Sequence, residues 1–414
     1  MTTAATRFED STTANRAGVR PLRVLMILES DFTKRGGGGA ESQVRTLALQ
    51  LVRLKQRVTV LTPLLARGPQ IKVERCYGLP VGRVSYPRWK IIGGGIMCAR
   101  FAAFLLANRN RYDAWHVHIA HHLGAVACVI GAAFNKPVIV KISGFWELEH
   151  GIMAPQRGLI GKAARLCFQR ASVLQAISTR IANDLIAQGF PADRIVVLPN
   201  AVDTSRFSGE RRGRAPGAPF TAVFVGRLVP EKGLPTLLEA WASAFSGRSD
   251  VRLRLLGGGV LEKPLRELVQ KLGISQQVEF LGHQDRVEDI LAEADVGVLP
   301  SRIEGLSNTL LEYMASGLPV LATRISGSED FVEPGQNGWL FEVGDVNGLS
   351  QHLQAAAGMP SEQLLELGRN ARRAVETRAT LDLIVGRLLS LYRGSDPREM
   401  ATNEASARLS AQLS

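Results

Sequence analysis

Two glutamates, Glu304 and Glu312, stand eight positions apart in the segment PSRIEGLSNTLLEYMASGLPV at 300–320. Glu304 falls in a loop rich in Pro, Ser and Gly after an apolar strand. Glu312 falls in the first turns of the helix that follows. The first backbone N–H groups of that helix lie between them and have no intrahelical partner. With the helix dipole behind them they attract an anion, phosphate above all. A carboxylate in front of such a site and another a turn behind it can accept hydrogen bonds from hydroxyls on either side of the phosphate. That chemistry suits a nucleotide sugar.

A second group supplies positive charge. VGRLVPEKG at 225–233 follows an apolar strand and precedes a helix, which puts Arg227 and Lys232 at the strand's carboxyl end. Arg offers a planar fork of donors and Lys a point charge, so together they can hold a diphosphate and offset charge on its departure. A solvated surface loop is the competing reading of this pair taken alone. Gly36–Gly39 open the first long helix, and their missing side chains let the backbone approach a ligand. A flexible loop fits the same glycines. A nicotinamide-dinucleotide fingerprint does not, because the third glycine is missing and the next strand ends TVLTP with no acidic residue for a ribose.

Residues 116–122, HVHIAHH, hold four of the seven histidines. They resemble the HxHxDH metal pattern of metallo-hydrolases, but Ala120 stands where the Asp is needed, so no metal site is expected. Strand alternation puts His116 and His118 on one face, and His118 at the strand's carboxyl end is expected in a cleft. His116, His121 and His122 read as packing or capping residues. Ser178 reads as a helix N-cap and Gly189 as that helix's stop. Asn200 and Asp203 read as turn formers at a crossover.

These groups need a scaffold that gathers strand ends. Apolar strands at 22–28, 58–61, 114–117, 137–141, 173–176 and 195–198 alternate with helical segments, as in a parallel sheet covered on both faces. GERRGRAPGAP at 209–219 reads as a linker. The pattern then restarts, with strands at 221–225, 251–255, 278–281, 296–299 and 320–322. The fold class is α/β, with two Rossmann-like halves and a site between them at the strands' carboxyl ends.

Bulk properties agree with two domains: 414 residues, 45% hydrophobic and 21% charged. No apolar run reaches the roughly 18 residues of a spanning helix, and the N-terminus lacks a signal peptide's apolar core. Cys76, Cys98, Cys128 and Cys167 form no metal spacing and read as reduced thiols of a cytoplasmic protein. The net charge of +12 is uneven: residues 1–205 hold 27 of the 50 Lys and Arg but 12 of the 38 Asp and Glu. An anionic membrane surface or an anionic lipid-linked substrate suits this basic half, as does a merely solubilising surface. No nucleic-acid motif accompanies the charge. Residues 88–111 interleave basic and apolar side chains, which fits either a membrane-facing surface or a core helix with a charged outer face.

Taken in order, GGGGAE at 36–41, LPNAVDTSRF at 198–207, VGRLVPEKG at 225–233, FLG at 280–282 and the segment at 300–320 resemble the retaining GT-B glycosyltransferases of family GT4 (group 1). The resemblance covers roughly residues 22–395. It implies two Rossmann-like domains facing across a cleft: an acceptor-side domain at 21–205 and a nucleotide-sugar domain at 206–380. A C-terminal helix at 381–395 would return toward the first domain, with disordered tails at 1–20 and 396–414. It implies transfer of a sugar from a UDP- or GDP-linked donor to an acceptor hydroxyl with retention, as in surface polysaccharide or glycolipid assembly.

The same resemblance distributes roles. Glu304 would contact the donor sugar, the backbone of Gly305, Leu306 and Ser307 would hold that sugar, and Asn308 and Thr309 would hold the diphosphate. Glu312 would take the ribose. Arg227 and Lys232 would grip the diphosphate with Gly38 and Gly39, His118 would stand beside the sugar, and the base would lie near Gly282, His283, Gln284 and Val287. Similar enzymes need no metal or other cofactor, and this sequence has no Asp-x-Asp. The expected partners are the nucleotide-sugar donor, a sugar or lipid-linked oligosaccharide acceptor and an anionic membrane at the periphery, not nucleic acid. The chain would act as a monomer or homodimer. Ala201 stands where the family has Gly, and SGFWELEHG at 143–151 departs from the family's usual histidine before Gly144, which leaves acceptor contacts unassigned. A sugar-nucleotide 2-epimerase of the same fold, or a non-catalytic sugar-nucleotide-binding scaffold, are the alternatives.

Overall fold

The computed structural model describes residues 20–33, 38–65, 71–87, 89–207 and 213–396. The tails, Gly36 and Gly37 of the glycine run, Arg88 and part of the linker lie outside them.

The first sheet contains β1 (Arg23–Ile27), β2 (Arg57–Leu65), β3 (Ile71–Cys76), β4 (Leu79–Tyr86), β5 (Ala114–Val117), β6 (Val138–Ile142), β7 (Val173–Ala176) and β8 (Ile195–Val197). Their spatial order is β3-β4-β2-β1-β5-β6-β7-β8. Every pairing is parallel except β3 with β4. Between the strands run α1 (Gly39–Arg53), α2 (Lys90–Asn108), α3 (His122–Ala133), α4 (Phe145–Glu149), α5 (Gly158–Phe168) and α6 (Thr179–Ala187). Continuous apolar sequence such as RVLMI in β1 is buried because helices cover both faces.

The second sheet is wholly parallel, in the order β11-β10-β9-β12-β13-β14. Its strands are β9 (Phe220–Val225), β10 (Val251–Leu256), β11 (Val278–Gly282), β12 (Val296–Leu299), β13 (Val320–Thr323) and β14 (Gly338–Phe341). Its helices are α7 (Leu234–Phe245), α8 (Glu262–Lys271), α9 (Val287–Ala292), α10 (Asn308–Ala315), α11 (Ser326–Phe331), α12 (Val346–Gly358) and α13 (Ser361–Arg378). In both sheets the strand order reverses at one point, beside β1 and beside β9, and a crevice opens there at the carboxyl ends. The β3–β4 hairpin and β14 are absent from the strands read in the sequence.

The last helix, α14 (Leu381–Tyr392), leaves the second domain and packs on the first. Its Leu381, Ile384, Val385, Leu388, Leu391 and Tyr392 join Val44, Leu47 and Leu51 of α1 in one buried cluster. The entry to α14 is tied to the interdomain crossover: Val202 donates its N–H to Ala379 O at 2.9 Å, and Leu381 donates to Val202 O at 3.0 Å.

The segment at 88–111 divides where it is described: its later turns pack inward, whereas Trp89 and Ile92 at its start are 53% and 65% exposed. Met97, Phe101 and Leu105 of α2 are buried. Arg100 turns inward and donates to Ser85 O at 2.6 Å. Ser178 caps α6 by accepting from Ile181 N at 3.2 Å, and Gly189 adopts a left-handed φ of +83° after it.

Candidate functional site

The two domains face each other across a cleft of about 1320 Å³. From the second domain it is lined by Gly226, Arg227, Glu231, Lys232, the run Ile303–Thr309 and Glu312. From the first it is lined by Gly38, Gly39, Gln43, Lys141, Ser143 and Glu147, among others. Most of the residues singled out in the sequence thus come together from both halves.

Helix α10 is the centre of the second wall. Its N-cap, Ser307, makes no side-chain capping bond, so the first N–H groups face the cleft without a cap from that side chain. Tyr313 holds the helix from behind: it is fully buried and accepts a hydrogen bond from Val225 N at 2.6 Å. Gly297 of β12 makes this possible, because a Cβ there would lie 2.4 Å from the Tyr313 ring. The start of α1 contrasts with that of α10. Glu41, three residues into that start, reaches back and accepts from Gly38 N at 2.6 Å, while Gly38 has no side chain with which to return the bond.

Asn308 joins the two walls. Its Nδ2 donates to Gly39 O at 3.2 Å, and its Oδ1 accepts from Gln43 Nε2 at 3.0 Å and Asn200 Nδ2 at 2.9 Å. Asn200 also donates to Leu306 O at 3.0 Å. Gln43 exchanges two bonds with the backbone of Ala201. Asn200, read in the sequence as a turn former, is therefore part of the domain contact and lines the cleft.

Lys232 and Glu304 form an ion pair whose side chains are only 17% and 16% exposed, and Ser301 Oγ donates to Glu304 Oε1 at 2.9 Å. The loops carrying them touch closely: a Cβ at Gly233, whose φ is +65°, would come within 2.0 Å of Pro300 O. Arg302 N donates to Glu231 O at 2.8 Å in the same contact. Arg227 is exposed to the cleft. Glu312 is partly buried behind the α10 N-terminus, and burial pushes its carboxyl up to about 7.

Two sequence expectations meet a different geometry. His118 does not line the cleft. It is 1% exposed, with no hydrogen-bond partner for either ring nitrogen, and stacks on His116 with centroids 4.1 Å apart. The two do share a strand face, but α14 covers it, and His116 Nδ1 meets Tyr392 Oη at 2.7 Å. Burial, with the neighbouring His116 and Lys141, drives His118 well below the usual imidazole range, so it is neutral. The histidines that reach the cleft are His121 and His122, at the start of α3, together with Glu29. Gly282, His283 and Val287 lie one loop beyond the cavity lining. Gly282 O accepts from Gly257 N at 2.7 Å, and Gly257 packs against Gly226 so closely that a Cβ would lie 2.0 Å from Gly226 O.

Two residues of the first wall were not singled out in the sequence. Lys141 is 2% exposed at the edge of the cleft, and burial pulls it down to about 8 against the attraction of Glu147. Glu147 is also buried, which raises its pKa. Its carboxylate accepts from the N–H groups of Ser143 at 2.7 Å, Gly144 at 2.8 Å and Ala120 at 3.2 Å. It thereby shapes the 143–144 turn, which abuts Gly305: a Cβ on Gly305 would stand 2.3 Å from Ser143 O. A lysine inside the apolar strand VIVKI was the available signal.

Residues 38–201 match the family described as "Glycosyl transferase 4-like domain", and residues 219–357 match "Glycosyl transferases group 1". The chain is 35% identical over 297 residues to N-acetyl-alpha-D-glucosaminyl L-malate synthase of Bacillus anthracis, covering 69% of this chain and 76% of that one. It is 34% identical over 234 residues to the putative colanic acid biosynthesis glycosyltransferase WcaL of Escherichia coli, covering 55% of this chain. The matched stretch spans 57% of that relative's length, little over half. Among solved structures, Anabaena HepE in complex with UDP superposes with a TM-score of 0.71 at 19% identity, over 90% of this chain and 100% of that one. Sucrose-phosphate synthase from Thermosynechococcus elongatus gives 0.72 at 20% identity, over 90% and 98%.

The Glu312 environment has a measurable consequence. A carboxyl raised in the folded state favours folding while protonated, and that contribution fades as pH rises through about 7. Glu312→Gln is therefore expected to stabilise the protein at pH 8, by about 1–3 kcal/mol, and to change little at pH 5. Thermal melts at the two pH values check this; a lower melting point at pH 8 counts against a desolvated Glu312.

Proposed function

Because the chain belongs to the group 1 glycosyl transferases of family GT4, with the two-domain GT-B fold, we propose that it transfers a sugar from a nucleoside-diphosphate sugar to an acceptor hydroxyl with retention of configuration. The observation that carries this reading is the open N-terminus of α10, flanked by Arg227, Lys232, Glu304 and Glu312 in one cleft. The diphosphate lies on the N–H groups of Asn308 and Thr309 and between the two cations. The sugar lies toward Glu304 and the backbone of Gly305–Ser307, and the ribose toward Glu312. The base extends past Gly226 toward Gly282, His283 and Val287. Gly38 and Gly39 close over the phosphates.

As the bond from the sugar's anomeric carbon to the diphosphate breaks, negative charge grows on the leaving group. Arg227, Lys232 and the α10 N-terminus are fixed where that charge develops, so the reaction draws its cations from the protein rather than from a metal. Lys232 is paired with Glu304 beforehand. A bound diphosphate takes a share of the ammonium and frees Glu304 for the sugar's hydroxyls. The acceptor hydroxyl enters from the first domain, over the 143–144 turn and Lys141. The relative named for colanic acid biosynthesis supports a surface-polysaccharide or glycolipid acceptor.

Among the described residues no helix is long and apolar enough to cross a membrane. We place the chain in the cytoplasm, in peripheral contact with an anionic membrane. The support is α5, where Leu159, Ile160 and Leu166 are 83%, 70% and 61% exposed beside the exposed Arg157 and Lys162.

Glu304→Ala is expected to lower kcat by about a hundredfold or more while nucleotide affinity stays within a few-fold. Steady-state kinetics and calorimetry check it, and wild-type turnover sinks the assignment. Arg227→Ala with Lys232→Ala should weaken UDP or GDP binding by at least about tenfold, whereas wild-type turnover should persist in EDTA. Unchanged affinity, or activity lost to EDTA and restored by a metal, contradicts the protein-cation mechanism. Replacing Leu159 and Ile160 by Glu should reduce co-sedimentation with phosphatidylglycerol vesicles severalfold; equal sedimentation removes the membrane contact.

A further inference from the structure

A second cluster on the first wall of the cleft plays no part in the donor grip. Glu29 follows β1, and His121 and His122 begin α3; all three line the cleft. His121 Nδ1 lies 2.8 Å from Glu29 Oε1. His122 Nδ1 lies 3.3 Å from the same oxygen and 2.8 Å from His121 Nδ1. Three ligand atoms of metal-binding type thus form one small triangle. Two Nδ1 atoms this close cannot both carry a proton, so at least one lone pair points into the triangle.

The dimensions suit an ion at its apex. With bonds of about 2.1 Å, neighbouring ligand atoms stand roughly 3.0 Å apart at right angles and about 3.4 Å apart in a tetrahedron. The cluster is held from behind, since Glu29 Oε2 accepts from Leu123 N at 2.7 Å, which orients the carboxylate. It is also accessible: the His122 side chain is 51% exposed. In the sequence the neighbouring histidines lack the Asp that a metal pattern requires. The fold supplies Glu29 instead, from 92 positions before His121.

We propose that Glu29, His121 and His122 bind one divalent first-row transition-metal ion, of the zinc and cobalt class, with its remaining coordination positions open to the cleft. Two imidazoles disfavour Mg²⁺ and Ca²⁺, which take oxygen ligands. Glu29, His121 and His122 line the same cleft as Arg227, Lys232 and Glu304 but none of them is assigned to the donor, so metal binding is read out separately from donor transfer.

The test uses full-length, tag-free protein stripped with EDTA. Calorimetric titration with Zn²⁺ and visible absorption during Co²⁺ titration should each show binding of one ion at this site. Glu29→Gln and His122→Ala should each weaken Zn²⁺ binding more than about tenfold and remove the Co²⁺ band. Circular dichroism and a cooperative melt establish that the variants fold. If Glu29→Gln fails to fold, His122→Ala, at an exposed position, carries the test. Wild-type protein that binds neither ion, or a folded His122→Ala that binds Zn²⁺ as tightly as wild type, overturns the proposal.

Discussion

The structure turns on keeping the N-terminus of α10 open while holding it rigid. A helix start left without a side-chain cap is ordinarily a weak point, since its first N–H groups then look to water or a ligand. Here the usual solution, a capping serine, is present in sequence as Ser307 but not engaged. Rigidity comes instead from neighbours. Tyr313 fixes the helix to β9 through Val225, and Asn308 ties its first turn to Gly39, Gln43 and Asn200. The positive end of the dipole is thereby aimed into the cleft with little freedom to collapse.

The same constraint explains the small residues around it. Gly297 leaves room for the Tyr313 ring, Gly233 lets the Lys232 loop sit on Pro300, and Gly305 lets the turn at Ser143 approach. Each is a place where two backbones, or a backbone and a ring, come closer than a side chain permits. Their common effect is to bring charged residues from separate loops into one site.

Much of this was legible in the sequence, for identifiable reasons. Apolar runs separated by turn formers mark buried parallel strands, and Arg227, Lys232, Glu304 and Glu312 sit at strand or helix ends that the fold must gather. The remainder depends on long-range packing. Strand alternation correctly placed His116 and His118 on one face, but only the return of α14 with Tyr392 shows that this face is covered. Asn200 looked like a turn residue because its partners, Leu306 and Asn308, lie more than a hundred positions away. The β3–β4 hairpin, IKVERC and LPVGRVSY, lies toward a sheet edge and carries charged and turn-forming residues in place of the continuous apolar runs that marked the other strands.

The chain crosses between domains twice, once near Val202 and once at Ala379–Leu381, and the two crossings hydrogen-bond to each other. Paired this way, they act as a single short ribbon rather than two independent tethers. A ribbon bends easily across its face and resists shear along its length. Any separation of the domains either pivots at this pairing or breaks its two hydrogen bonds, and it parts Gly305 from the turn at Ser143.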